Sequence, residues 1–304
     1  MGRARMLWLL LPIAGLVELA LFVHDARSAP RAAEWQALRG EVARLKGASD
    51  LLVVAPEWAD PLARQAFGDA LMPITDLARA DVSAYARAVE VDALGAESDE
   101  LAGWRVASAQ RVGRFEIRIR ENPEPAHVLF SFVDHAAPPS LEVGRESGST
   151  DACAFTTHAA SSAGGLHGHL AFPRERYVCG GAEEHFVGVT VLDDQDYRPR
   201  RCLWAEPLPG GLRLSFKSVP IGRQIYGYAG LSYFIFRDGK HAPTTIGARV
   251  AGEEVGHYEH HDETGWHGFQ FDTARFAGQT ADVEFVVSSA DPSERQLCFY
   301  ADTR

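Results

Sequence analysis

Four groups of residues have side chains capable of chemistry. Histidines crowd at His257, His260, His261 and His267. On an extended strand His257, Glu259 and His261 would share one face, which is the arrangement a transition metal requires. Asp262 and Glu263 lie alongside, so a hydrated polar turn is the simpler expectation and no metal site is assigned. Asp193, Asp194 and Asp196 could offer oxygens to a structural calcium. The glycine and closing glutamate of an EF-hand loop are missing, and an acidic turn is expected instead. Asp151, His158, Ser161 and Ser162 contain the residue types of a hydrolase triad, but no G-x-S-x-G elbow surrounds either serine. The fourth group is aromatic: Tyr226, Tyr228, Tyr233 and Trp266. Aromatics in sandwiches mostly pack cores, yet Pro220, Gly222, Gly227 and Gly230 suggest that the tyrosines sit on a loop. Rings held there would stack on the C–H face of a pyranose. Tyr226, Tyr228 and Trp266 are therefore the expected ligand-binding residues, and no catalytic residue is assigned.

The elements that position these groups fall into two kinds. From Arg31 to Lys46, Trp35, Leu38, Val42 and Leu45 recur at helical spacing, with Gly47 as C-cap. The apolar run Leu51–Ala55 reads as a buried strand. Asp60-Pro61 then reads as an N-cap and first turn of a helix ending before Gly68. Glu57 and Asp60 lie where open α/β sheets place ligands, but the capping role accounts for Asp60. A further helix is expected at Ser83–Ala88, then strands at Val89–Leu94, Trp104–Ala109 and Arg114–Arg120. In the last of these Phe115, Ile117 and Ile119 alternate with Arg114, Glu116, Arg118 and Arg120, a face expected to be solvated.

Asn122-Pro123-Glu124-Pro125 breaks the pattern, and beyond it helical periodicity gives way to about ten short strands. They are expected near His127–Val133, His185–Leu192, Arg201–Ala205, Leu212–Phe216, Ser232–Arg237, Thr244–Val250, Glu253–Glu259, Gly268–Phe271, Ala281–Ser288 and Gln296–Ala301. The fold class is thus α+β with two domains: an anchor helix over 1–30, a small α/β domain over 31–122 and an antiparallel β-sandwich, or jelly roll, over 123–304.

The apolar run Leu7–Val23 follows Arg3 and Arg5 and contains one charge, Glu18. As a helix it reaches roughly 25 Å, near the lower limit for a bilayer. A cleaved signal peptide is the alternative, but the small-x-small sites that follow are poor. The N-terminus is expected in the cytoplasm and the bulk of the chain outside, periplasmic or extracellular. Glu18 would snorkel to the interface or meet a membrane partner. A net charge of −11 argues against nucleic acid. Four cysteines and no CxxC suggest disulfides in an exported chain, their connectivity open at this point.

Written out, the last hundred residues resemble the galactose-binding-like jelly roll of carbohydrate-binding modules. The likeness rests on Leu212–Phe216, Val219-Pro220, the Gly227-Tyr228 and Gly230 stretch, Ile246–Val250, Gly265-Trp266, Phe269–Thr273, Gly278 and Val283–Val287. In such a fold the strands bearing Cys202 and Cys298 are first and last, and the expected bridges are Cys202–Cys298 and Cys153–Cys179. Residues 31–122 more faintly resemble the exported tail of protein-mannosyltransferase-type glycosyltransferases. That likeness rests on a Trp-bearing helix, Leu51–Ala55, Pro56-Glu57-Trp58 and a helix from Asp60, and it implies an accessory role at most. The expected function is non-catalytic binding of carbohydrate or an envelope partner. The alternative is an extracytoplasmic hydrolase or esterase acting on envelope glycans.

Overall fold

The computed structural model describes residues 12–23, 29–147, 153–159, 172–180, 185–231, 242–292, 295 and 297–304. The chain divides into two compact units, Met1–Asp76 with Tyr85–Pro125, and Leu77–Ala84 with Ala126–Arg304. The chain leaves the first unit after Pro125, while Leu77–Ala84, expected in the α/β domain, belongs to the second.

In the first unit, residues 12–23 form helix α1, whose Leu16 and Phe22 are 65% and 69% exposed. Among the described residues no helix is long and apolar enough to cross a membrane. The expected anchor over Leu7–Val23 begins outside the described residues and gains no support from those that are described. Helix α2 (Ala32–Leu45) buries Trp35, Leu38 and Val42, the stripe its spacing predicts. It ends with Lys46 rather than Gly47 at the C-cap. Trp35 meets Phe115 and Phe67 edge-on, at 4.6 and 6.0 Å between centroids. Helix α3 (Asp60–Phe67) starts from Ala59 as N-cap, with Asp60 already inside it, and stops at Gly68, whose φ of 75° disfavours any residue with a Cβ.

The sheet orders β1 (Leu51–Ala55), β2 (Arg87–Ala93), β4 (Phe115–Glu121) and β3 (Arg105–Val112), with β1 parallel to β2 and the rest antiparallel. The helix expected at Ser83–Ala88 does not form: the Asp81 carboxylate holds the Ser83 N–H and hydroxyl in a turn, and β2 starts at Arg87.

The face carrying Arg118 and Arg120 is not solvated. Both arginines are buried against Glu90 and Asp92, which are 0% and 1% exposed. Arg120 Nε donates to Glu90 at 2.8 Å and its Nη2 to Glu97 at 2.8 Å. Arg118 Nη2 lies 3.0 Å from Asp92 without hydrogen-bond alignment, and its charge together with the Ala96 N–H offsets that carboxylate's burial only in part. Burial accordingly raises the pKa of Asp92 against the pull of Arg118.

The second unit packs two antiparallel sheets face to face. One orders β15 (His267–Asp272), β12 (Gln224–Leu231), β17 (Leu297–Thr303), β10 (Pro199–Ala205), β9 (Phe186–Asp193), β8 (Arg176–Val178) and β7 (Ala154–Thr156), with β5 (Phe130–Ser131) on β17. The other orders β14 (Glu253–His260), β13 (Thr244–Val250), β16 (Thr280–Ser289), β11 (Leu212–Pro220) and β6 (Leu141–Arg145). From β11 to β17 the chain passes back and forth between the sheets, the winding of a jelly roll.

Period-two alternation sends Leu212, Leu214, Phe216, Val283, Phe285 and Val287 inward from one sheet. They meet Leu203, Ile225, Ala229, Phe269, Leu297 and Phe299 from the other. Both expected disulfides are present. Cys202–Cys298 joins neighbouring strands β10 and β17 with Cα atoms 5.6 Å apart, and Cys153–Cys179 has Cα atoms 4.4 Å apart. The expected strand Ser232–Arg237 lies outside the described residues. Strand β6 was not expected.

Candidate functional site

Tyr226 and Tyr228 lie on a strand, not a loop, and Trp266 sits in the turn just before β15. On β12 the alternation Ile225, Gly227, Ala229 points into the core, leaving Tyr226, Tyr228 and Gly230 on the outer face. The glycines are there for packing rather than turning. A Cβ on Gly227 would fall 2.4 Å from the Phe269 ring, and one on Gly230 would fall 2.8 Å from the Trp266 ring. β12 is held centrally between β15 and β17, which fixes the tyrosines rigidly.

The structure brings Tyr226, Tyr228 and Trp266 together. Tyr228 stacks on Trp266 with centroids 6.0 Å apart and planes 5° apart, while Tyr226 meets Tyr228 edge-on with the two hydroxyls 3.0 Å apart. All three rings are half-buried. The guanidinium of Arg304 covers the Tyr226 ring at 4.2 Å, and that of Arg200 faces Trp266 at 5.6 Å. Arg304 Nε also donates to the buried Asp302 at 2.6 Å, and Tyr300 donates to the same carboxylate at 3.0 Å. Burial raises the pKa of Asp302 against the pull of Arg304.

The segment Leu77–Ala84 crosses this face as a strap. Trp266 Nε1 donates to the carbonyl of Ala80 at 3.1 Å, Arg200 Nη1 to that of Arg79 at 3.1 Å, and Arg304 Nη1 to the Ser83 hydroxyl at 2.8 Å. Asp81 sits beside the Tyr228 hydroxyl. Burial, the Tyr226 hydroxyl and Asp81 together raise the Tyr228 pKa. Trp266 and Arg200 thus donate to main-chain carbonyls of the strap and Arg304 to a hydroxyl; donors beside stacked rings are an arrangement that also suits a saccharide.

A second concavity lies at edge strand β6. It is a cleft of ≈ 450 Å³ whose lining includes Pro138, Pro139, Glu142, Arg145, Arg213 and Ser215. The Tyr177 hydroxyl donates to the Leu141 carbonyl at its wall, and burial raises that phenol to about 12. Sequence reading missed this site. Arg213 alternates outward from Leu212 and Leu214, a legible sign of an exposed face, whereas nothing in the pattern marked Arg145.

The other chemical groups resolve differently. His260 is fully buried rather than part of a hydrated turn, with Nδ1 3.2 Å from the Tyr258 hydroxyl, whereas His257, His261 and His267 are exposed. Among the described residues no group of three His, Cys, Asp or Glu side chains is placed to hold a metal. Asp194 is buried; its Oδ1 accepts from the N–H groups of Asp196 and Arg198, and its Oδ2 from Arg200 at 2.8 Å, so it organises a turn. Asp151, Ser161, Ser162 and Tyr233 lie outside the described residues.

No protein-family model matches the sequence, and no curated protein does. The solved structures that it matches include carbohydrate-binding modules, the class that the jelly-roll pattern resembles. One is CBM51 of a Clostridium perfringens GH95 protein in complex with methyl-galactose, at 10% identity and TM-score 0.29 over 38% of this chain and 81% of that one. Another is CBM51-2, in complex with GlcNAc, and INT domains from Clostridium perfringens ZmpB, at 11% identity and TM-score 0.33. This match covers 69% of the present chain and 46% of the other. A third is TmCBM61 with β-1,4-galactotriose, at 12% identity and TM-score 0.25 over 58% and 95%. Likeness at this level decides neither ligand nor site. The resemblance of residues 31–122 to a glycosyltransferase tail gains no support from these matches.

Proposed function

We propose that the second unit binds neutral carbohydrate without acting on it, through Tyr226, Tyr228 and Trp266. One observation carries this reading: the three rings gather beside Arg200, Asp302 and Arg304 on a rigid sheet face, where the carbonyl of Ala80 already takes the indole N–H. A sugar hydroxyl would take the place of that carbonyl, and a pyranose would lie along the edge of the stacked pair once the strap Leu77–Ala84 lifts. The same proposal places the chain outside the cytoplasm, where its two disulfides persist. It is tethered there through Leu7–Val23, whose described side chains in α1 are exposed and, Glu18 apart, uncharged.

The test uses the full chain and its Asp81→Ala variant on an array of neutral glycans. Removing Asp81 frees the Tyr228 hydroxyl and loosens the strap, so affinity should rise, by about tenfold for one lost hydrogen bond to a charged group. Absence of glycan binding by both proteins sinks the reading. Turnover of chromogenic glycosides or esters by either would replace it with the enzyme alternative.

A further inference from the structure

The geometry points to a second ligand site in the same unit, on the sheet opposite the aromatic face: the β6 cleft, built for a saccharide unit that carries a carboxylate. Its ≈ 450 Å³ falls in the size class of small-molecule pockets, about 300–1,000 Å³. Two arginines line it, and neither Arg145 nor Arg213 forms an ion pair with a described carboxylate.

Arg118, Arg120, Arg200, Arg249, Arg295 and Arg304, by contrast, have carboxylate partners, and the chain as a whole carries −11. Among the described lining residues the one carboxylate is Glu142, which shares Lys217, at 3.4 Å, with Asp282, so two arginines face a single carboxylate. The cleft therefore presents uncompensated positive charge, and screening over about 8 Å keeps it from being cancelled by distant acidic residues.

The rest of the lining selects a sugar over a simple anion. Guanidinium groups bind carboxylates through a planar fork, which gives direction as well as charge. Ser215 donates its hydroxyl to Glu284 at 3.3 Å, so its oxygen still accepts, and Glu142 also accepts. Together they suit ring hydroxyls. Pro138, Pro139, Leu141 and Val143 supply an apolar wall for C–H groups. The Tyr177 ring is buried and its hydroxyl is engaged with Leu141, so among the described lining residues no exposed aromatic platform is present to stack a nucleobase. Alternation places Glu142, Arg213 and Ser215 on the outer face and Arg145 on the other side of the edge strand, so the two cations approach a ligand from different directions.

This site does not rest on the aromatic-face reading, whose own test uses neutral glycans. Here the full chain is titrated by calorimetry with the methyl glycosides of glucuronic and galacturonic acid, with their neutral counterparts, and with inorganic sulfate. The uronides should bind about tenfold more tightly than the neutral sugars, as one carboxylate fork implies, and should weaken with added salt. Arg213→Gln should lower uronide affinity by about tenfold while leaving the thermal midpoint in place, since Arg213 is exposed. Arg145→Gln should do the same, and if that variant fails to fold, Arg213→Gln alone decides. Equal binding of acidic and neutral sugars overturns the proposal. So does unchanged uronide affinity in Arg213→Gln, or competition by sulfate as effective as by the uronides.

Discussion

The indole nitrogen of Trp266 donates to the main-chain carbonyl of Ala80 at 3.1 Å, joining residues 186 positions apart in sequence. That bond fastens a strap drawn from an early part of the chain onto the outer face of a late β-sheet. Trp266→Phe keeps most of the ring and deletes the donor. The loss should be about 1 kcal/mol and local, because Arg200 and Arg304 still hold the strap. Amide exchange at Ala78–Ser83 should quicken while exchange in β12 and β17 stays slow. Unchanged exchange in the strap would show that the indole does not secure it.

The two disulfides should contribute unequally. The Cys202–Cys298 bridge closes a separation of 96 residues and the Cys153–Cys179 bridge one of 26. Loop-closure entropy grows with the logarithm of length, so the longer bridge should be worth about 1 kcal/mol more, out of roughly 3 to 5 each. Paired Cys→Ala variants compared by denaturant unfolding check the order. An equal loss, or a larger one for Cys153 with Cys179, would contradict it.

What was legible in the sequence was local, and what was not depended on distant partners. The stripe of Trp35, Leu38 and Val42 and the alternation through Leu212–Phe216 specify burial by period alone, and both elements form. Gly227 and Gly230 have the composition of a turn, yet each makes room for a ring brought in from β15 or the turn before it, so only the assembled sheet reveals their role. Arg118 and Arg120 read as solvent-facing because their partners Glu90 and Asp92 lie on a strand not adjacent in sequence. The strap carries no periodic signal: its main-chain carbonyls do the binding, and side-chain patterns do not report on them.

Arg118 should be costly to remove. Replacing it with Met leaves Asp92, 1% exposed, without its nearest cation, while Glu90 keeps Arg120. Breaking a buried pair from one side costs about 3 kcal/mol or more. Adding Asp92→Leu removes the stranded charge and should recover part of that loss, giving a coupling well above additivity. Urea unfolding of the two single variants and the double variant tests this. Additive losses would mean that the pair does not interact.

His260 should make the chain lose stability as pH falls from about 6.5 to about 4. The ring is 0% exposed, and its Nε2 has no hydrogen-bond partner. Burial lowers its pKa to about 4; His267, His261 and Arg295 push the same way, and Asp262 opposes them. The folded-state pKa is thus below the unfolded one. Within this window the unfolded chain takes up a proton that the folded chain refuses, so acidification favours unfolding. The full difference amounts to about 3 kcal/mol, present above pH 6.5 and spent by about pH 4. Asp92 and Asp302, whose pKa values burial raises, work in the opposite direction: they hold protons in the fold and gain stability as pH falls. Unfolding curves of the native chain alone would mix these contributions. The difference between the native chain and His260→Gln isolates one of them, because Gln does not titrate. At pH 7 the variant should be the less stable through lost packing, and the gap should close by about 2 to 3 kcal/mol by pH 4.5. A gap that stays constant from pH 7 to 4.5 would mean that His260 takes up its proton equally well folded and unfolded.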